Sequence, residues 1–243
     1  MNIKVLYEDD DVVVINKPAG LVVHADGKRE QTTVRDWFVD HYPEAVGVGE
    51  EPIETREGAL IHRDGIVHRL DKDTSGAMIL CQNQEAYLYI KNQFQERIVQ
   101  KTYHAIVYGS PSFDKRVVNQ PIGRSKTFAK WSAIPKAVRG TLRDAVTHIY
   151  ILKRGDNFSL IEAKPKTGRT HQIRVHLQYL NLPIVADSLY AGKRYDRDDP
   201  EGSLGMSRQA LHAKTIEFSL PGDREIAVEA PLAKDMEEAL VHI

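Results

Sequence analysis

Apolar residues fall mostly in short runs that turn signals interrupt. Val12-Val13-Val14-Ile15 is an unbroken apolar run, Lys17-Pro18-Ala19-Gly20 marks a turn, and Leu21-Val22-Val23 resumes the pattern, which predicts strand segments on either side of a turn. Thr32-Thr33 precedes a segment passing through Trp37 and Phe38 to His41 and predicts a capped helix. Residues 77–81 are again apolar and read as a buried strand. Asn83 then caps a segment in which Tyr87, Ile90 and Phe94 recur at helical spacing. Further strands are predicted around 102–108, 146–152, 158–163, 215–218 and 226–229, with helices starting near Thr170 and Lys234. From 43 to 65 the chain is rich in Gly and Glu without periodicity, long enough to suggest a functional or mobile loop. Strands outnumber helices and do not alternate with them, so the pattern predicts an α+β fold with a largely antiparallel sheet. No repeat, low-complexity tract or linker interrupts the sequence, and a single domain over 1–243 is expected.

Composition narrows the class. Hydrophobic residues make up 42% and charged residues 28%, ordinary for a globular protein. No apolar run reaches bilayer length, and Met1-Asn2-Ile3-Lys4 does not open a signal peptide. A cytoplasmic protein without a membrane segment is expected. Cys81 is the only cysteine; it lies in an apolar run and reads as a core residue, which excludes internal disulfides and cysteine metal clusters. The net charge of −1 decides nothing, but its distribution is uneven. Lys115, Arg116, Arg124, Lys126, Lys130, Lys136, Arg139 and Arg143 occur with no acidic residue among them, and Lys164, Lys166, Arg169 and Arg174 form a second such stretch. Acidic residues gather at 8–11, 50–57 and 196–201. By charge alone, a basic face for a polyanion and a pair of solvated loops are equally good readings.

The densest chemistry is Gly65-Ile66-Val67-His68-Arg69-Leu70-Asp71-Lys72-Asp73-Thr74-Ser75-Gly76. A cluster of ionisable and hydroxyl groups between two apolar segments makes poor core and reads as a loop at a cleft. Asp71 and Asp73 are both candidate nucleophiles or bases, with His68, Arg69 and Lys72 able to hold a carboxylate ionised. Spacing does not choose between them, and a turn carrying surface charge stays open. The nearby His62-Arg63-Asp64 imitates a kinase catalytic loop, but the other kinase elements are missing.

A second stretch runs Gly168-Arg169-Thr170-His171-Gln172-Ile173-Arg174-Val175-His176-Leu177. On a helix, Ile173, Leu177 and Leu180 share an inward face, with His171, Arg174 and Gln178 on a neighbouring one. Arg174 therefore stands at the edge of a buried surface, where a guanidinium needs a carboxylate or a phosphate. His171 and His176 are not spaced as metal ligands on one face.

Together these stretches resemble the RluA family of pseudouridine synthases. The 65–76 segment is similar to the family's aspartate signature and Asn16-Lys17-Pro18-Ala19-Gly20-Leu21-Val22-Val23-His24 to its opening motif. Lys101-Thr102-Tyr103 resembles its tyrosine motif, 168–174 its last motif, and Leu182-Pro183-Ile184-Val185-Ala186-Asp187 and Leu211-His212-Ala213 also fit, in the family's order and over nearly the whole chain. Ala186 stands where relatives usually carry Gly, a change expected to be tolerated. The resemblance implies a pseudouridine synthase fold, with a mixed, largely antiparallel sheet, flanking helices and a central active-site cleft, and no preceding RNA-binding domain. It implies Asp71 as the catalytic aspartate, Arg174 as its ion-pair partner and Tyr103 stacked on the target base. Arg69 would fill the gap left by the displaced uridine, Asp73 would brace the loop, and His68, Leu70, Arg169 and Ile173 would line the nucleotide. The implied partner is ribosomal or transfer RNA, with no metal, no cofactor, no obligatory protein partner and a monomeric enzyme. A carboxylate hydrolase of glycosides would need a second catalytic carboxylate, and neither motif contains Glu. An RNA-binding protein that has lost catalysis fits poorly with Asp71, Tyr103 and Arg174 all in place.

Overall fold

The computed structural model describes residues 2–25, 31–55, 58, 60–127, 130–196, 198–199 and 201–243. Glu57, in the acidic 50–57 segment, lies outside the described residues. The chain opens with β1 (Lys4–Glu8), β2 (Val12–Lys17) and α1 (Val34–His41). Two short paired strands, β3 (Ile53–Glu54) and β4 (Leu60–Ile61), precede β5 (Ser75–Cys81), α2 (Gln84–Glu96) and β6 (Gln100–Tyr108). Next come β7 (Lys115–Asn119), β8 (Ile122–Ser125), β9 (Trp131–Ser132), β10 (Val138–Arg143), β11 (Val146–Arg154) and β12 (Phe158–Pro165). Then follow α3 (Gln172–Tyr179), β13 (Leu211–Leu220), β14 (Arg224–Glu229) and α4 (Lys234–Leu240). Residues 1–100 with 213–231 form one compact unit, and residues 101–212 with 232–243 form another. Among the described residues no helix is long and apolar enough to cross a membrane.

In the first unit the strand order is β1-β2-β5-β13, with β14 beside β13. The β1–β2, β2–β5 and β13–β14 ladders are antiparallel, as the strand pattern predicts. Every residue of β5 is buried, which is why its sequence is a continuous apolar run rather than an alternation. Cys81 is among them, and burial pushes its thiol pKa far up, in keeping with a core role. Thr33 caps α1: its hydroxyl accepts from the Asp36 N–H at 3.2 Å while the Asp36 carboxylate accepts from the Thr33 N–H at 3.0 Å, a reciprocal capping box. Asn83 caps α2 by accepting from the Ala86 N–H at 2.9 Å. Gln93 is buried because its amide completes a strand edge, donating to the Ser219 carbonyl and accepting from the Ser219 N–H.

Leu21-Val22-Val23 is not a strand. The Val22 and Val23 carbonyls instead accept from the N–H groups of Val34 and Arg35, two of the donors that a helix start leaves without intrahelical partners. The 43–65 segment contains a 3-10 turn at Pro43–Ala45 and the β3–β4 pair. Asp64, from the kinase-like triplet, is buried and structural: it accepts from the Gly47 N–H at 2.8 Å and pairs with Arg35.

In the second unit the order β6-β12-β11-β7 is antiparallel throughout. Its core gathers Ala105, Ile106 and Val107 of β6, Ile161 and Ala163 of β12, Ile173 and Leu177 of α3 and Met236 and Ala239 of α4. A separate three-stranded sheet, ordered β10-β8-β9, carries much of the 115–143 basic segment. That segment forms short strands that the hydropathy pattern does not predict.

Candidate active site

The Asp71 loop is built on two glycines. Gly65 and Gly76 have φ of 67° and 115°, and a side chain on either would collide with packed neighbours: Cys81 and Phe38 at Gly65, the Ala213 backbone at Gly76. Between them the backbone is fixed at several points. Leu70 is buried. The Thr74 N–H donates to the Asp71 carbonyl at 3.1 Å, leaving Lys72 and Asp73 exposed at the tip. His68 holds the loop to β5: its Nε2 accepts from the Ile79 N–H at 2.9 Å, and its ring stacks on Phe94 at 4.8 Å. Accepting at Nε2 makes the ring neutral, with its proton on Nδ1.

Lys17 clamps the loop from the other side. It is completely buried, and its ammonium donates to the carbonyls of Pro18, Leu21 and Lys72 at 2.8, 2.7 and 2.9 Å. The Lys72 carbonyl also accepts from the Gly20 N–H at 2.9 Å. One buried cation thus ties the turn after β2 to the residue that follows Asp71. Asp71 is half-buried, while Asp73 is exposed. Arg69 is exposed, with Nη1 3.3 Å from Nε2 of His24.

In the second unit α3 begins at Gln172, later than the sequence pattern suggests, because His171 adopts a left-handed backbone (φ 56°) and supplies no side-chain cap. Gln172 saturates its amide. It donates to the Val146 carbonyl and Thr147 Oγ1, both at 3.0 Å, and accepts from Thr167 Oγ1 at 2.6 Å and the Arg169 N–H at 3.0 Å. Arg169 is half-buried and donates from Nε to the Asp144 carbonyl at 3.0 Å. Ile173 faces the core. His176 is also buried, between Thr147 Oγ1 and the Gln120 carbonyl; burial pushes its imidazole pKa down, against a smaller upward pull from that carbonyl.

Arg174 is 5% exposed. Its Nε and Nη2 donate to the two carboxylate oxygens of Asp187 at 2.7 and 2.9 Å, a bidentate fork. Asp187 also accepts from the N–H groups of Leu189 and Tyr190. Ala186, just before it, has φ 56°, a left-handed conformation that favours glycine. Tyr190 closes the arrangement. Its ring lies 4.9 Å from the Arg174 guanidinium, and its hydroxyl accepts from the Trp131 N–H at 3.0 Å and pairs with His171 Nδ1 at 2.8 Å.

Tyr103 lies on β6 opposite Ala163 of β12 and packs partly buried against the core. Lys101, two residues earlier, has its pKa pushed down by burial and by the nearby Lys166.

The loop thus brings together His68, Arg69, Leu70 and Asp71, while α3 carries Ile173 and Arg174 and Arg169 lies just before it, bonded to Gln172. Reading the sequence gave Lys17, Asp187 and Tyr190 no individual role. The signal for Asp187 was available, since a buried arginine requires an anion and an aspartate ends the 182–187 motif.

Comparison with known proteins places these sites in context. Residues 11–179 match the family described as RNA pseudouridylate synthase. The chain is 34% identical over 100% of its length to an uncharacterized RNA pseudouridine synthase, YlyB, of Bacillus subtilis, covering 73% of that protein. It is 38% identical over 97% of its length to ribosomal large subunit pseudouridine synthase D of Neisseria meningitidis serogroup B, covering 60% of that protein. Among solved structures, human RNA pseudouridylate synthase domain containing 4 superposes with a TM-score of 0.72 at 25% identity, over 98% of this chain and 91% of that one.

Proposed function

The chain belongs to the RNA pseudouridylate synthase family, and on that premise we propose that it isomerises uridine in large-subunit ribosomal RNA with Asp71 as its catalytic carboxylate. As an RNA pseudouridine synthase it is an isomerase. The N1–C1′ bond breaks, the uracil turns, C5 joins C1′, and the C5 hydrogen leaves as a proton while N1 gains one. No electrons are exchanged and no water is consumed, so the reading includes no cofactor.

The observation that carries the assignment to Asp71 is its setting. The backbone on both sides is clamped, by buried Leu70 and by the Lys17 and Gly20 donors on Lys72, while the carboxylate itself is only half-buried. A fixed nucleophile or base is what attack at C1′ or C6, or loss of the 2′ proton to give a glycal, each requires. Asp73 stands exposed at the turn tip.

In this reading Tyr103 stacks on the extruded base and recovers roughly 1–3 kcal/mol of the unstacking cost. Arg174 pairs with Asp71 and opposes the desolvation that would raise a buried carboxylate's pKa. The fork to Asp187 fixes the guanidinium plane, and a guanidinium carries more donors than one carboxylate engages. His68 and Leu70 act by shaping the loop, Arg69 and Arg169 face the RNA, and Ile173 forms part of the wall. Both units serve as one monomeric catalytic domain, acting in the cytoplasm.

The choice of ribosomal over transfer RNA rests on the relatives of Neisseria meningitidis and Xanthomonas campestris, whose names specify the large ribosomal subunit. Two experiments test the reading. Pseudouridine mapping with and without the gene should show loss at one or more large-subunit positions. Purified protein should release tritium from C5-labelled large-subunit RNA in the presence of EDTA. Loss confined to transfer RNA would replace the substrate, and no loss with no tritium release would remove the function.

A further inference from the structure

The β10-β8-β9 sheet carries a charge arrangement that its own stability does not explain. In its register Arg139 of β10 lies directly opposite Arg124 of β8, and Arg124 directly opposite Trp131 of β9. Residues directly opposite on antiparallel strands project from the same face. Two guanidiniums and an indole therefore form one row across all three strands, with the Arg124 guanidinium 5.6 Å from the Trp131 ring centre. Both arginines are exposed, and among the described residues neither makes an ion pair. Like charges placed directly opposite are destabilising, and a sheet this small has little stability to spare.

An anion lying across the row removes that conflict. Guanidinium presents a planar fork that fits phosphate oxygens two at a time. Lys126 and Lys136 are also exposed, and the Lys126 N–H donates to the Ala137 carbonyl at 2.8 Å, which brings these two lysine-bearing segments together. Trp131 is half-buried with a guanidinium against it, so it stiffens the row rather than offering an open stacking face for a base. It is also anchored. Its backbone N–H donates to the hydroxyl of Tyr190, whose ring lies against Arg174. A single side chain therefore fixes the position of the row relative to Arg174.

We propose that the Arg139–Arg124–Trp131 row is a docking surface for the sugar–phosphate backbone of the substrate RNA, outside the nucleotide being isomerised. It reads backbone and not sequence, and through Tyr190 it sets the register of the bound strand against Arg174. This rests on the RNA pseudouridine synthase reading and adds to it where the RNA is held.

The test measures binding of an unmodified large-subunit ribosomal RNA transcript across a range of salt concentrations. The Arg124→Gln/Arg139→Gln variant is compared with wild type and with Lys153→Gln/Lys234→Gln, which removes the same charge from exposed positions of the same unit outside the row. Losing two phosphate contacts should make the slope of log affinity against log salt shallower by about 1.4–1.8 and weaken binding on the order of tenfold near 0.1 M salt. The control should keep the wild-type slope, and Arg124→Lys/Arg139→Lys should keep most of it. Without RNA the Gln variant should melt at or above the wild-type temperature, because a repulsion has been removed. An unchanged slope in the Gln variant, an equal loss in the control, or a lower melting temperature would each overturn the proposal. Tritium release by wild type from the same transcript tests the enzymatic reading separately: the slope comparison holds whether or not that transcript contains the target uridine.

Discussion

Lys17 and Arg174 are the buried long cations of the described residues, one in each unit, and they are accommodated differently. Lys17 is surrounded by carbonyl dipoles from the turn after β2 and from the Asp71 loop. Arg174 meets a full carboxylate, Asp187, which backbone N–H groups support in turn. Carbonyl groups that converge on one cation fix the chain segments that supply them, so Lys17 acts on geometry. A carboxylate cancels most of the charge, so the Arg174–Asp187 pair acts as an oriented, nearly neutral unit. The first device sets where the Asp71 loop stands, and the second fixes the plane of the guanidinium.

Removing Arg174 should have the larger effect on stability. Arg174→Met strands a buried carboxylate, which costs about 3–5 kcal/mol, read as a drop in the thermal midpoint. Adding Asp187→Leu should recover much of that stability but not the single-turnover rate, and Arg174→Lys should be intermediate because it lacks the planar fork. A double variant that turns over normally would reduce Arg174 to scaffold. Lys17→Met should cost less, about 2–4 kcal/mol, since the Pro18, Leu21 and Lys72 carbonyls lose a donor but the Lys72 carbonyl keeps the Gly20 N–H. Denaturant titration measures the loss. Turnover should fall with it, because the loop carrying Asp71 loosens.

Two smaller effects sharpen the picture of the second unit. Ala186→Gly should stabilise by about 0.5–1 kcal/mol, the balance between relief of left-handed strain and glycine's extra chain entropy. His176 gives a pH dependence of definite sign. Burial, its largest influence, depresses its folded-state pKa, so below the ordinary imidazole value of about 6.5 the unfolded chain binds more protons than the folded one. Its contribution is complete above that value and declines as pH falls through the window towards the depressed pKa. Thermal midpoints recorded from neutral to mildly acidic pH should fall less steeply for His176→Gln than for wild type.

What was legible in the sequence was local. Thr33 and Asn83 announce α1 and α2 because a cap acts within a single turn, and β5 is visible because a strand buried on both faces needs an unbroken apolar run. Leu21-Val22-Val23 misleads because its carbonyls are satisfied by a helix start rather than by a ladder, which composition does not encode. The short strands of the basic segment are hidden because they are brief and β7 and β10 expose most of their side chains, so neither shows an apolar run. The candidate site divides in the same way. Asp71, Tyr103 and Arg174 stand in motifs, but Lys17 gains its role from a carbonyl 55 residues away along the chain, and Tyr190 from Trp131, 59 residues away. Asp187 was visible as a motif residue, yet its pairing depends on the left-handed turn at Ala186.

The central claim is that Asp71, held by the Lys17 clamp, is the carboxylate that makes the chain an isomerase. Single-turnover tritium release from C5-labelled large-subunit ribosomal RNA, at saturating enzyme, compares Asp71→Asn with Asp73→Asn most directly. The account predicts a loss of at least about 10⁴-fold for Asp71→Asn, with RNA binding retained, and a far smaller loss for Asp73→Asn. Equal losses in the two variants, or substantial turnover by Asp71→Asn, would contradict it.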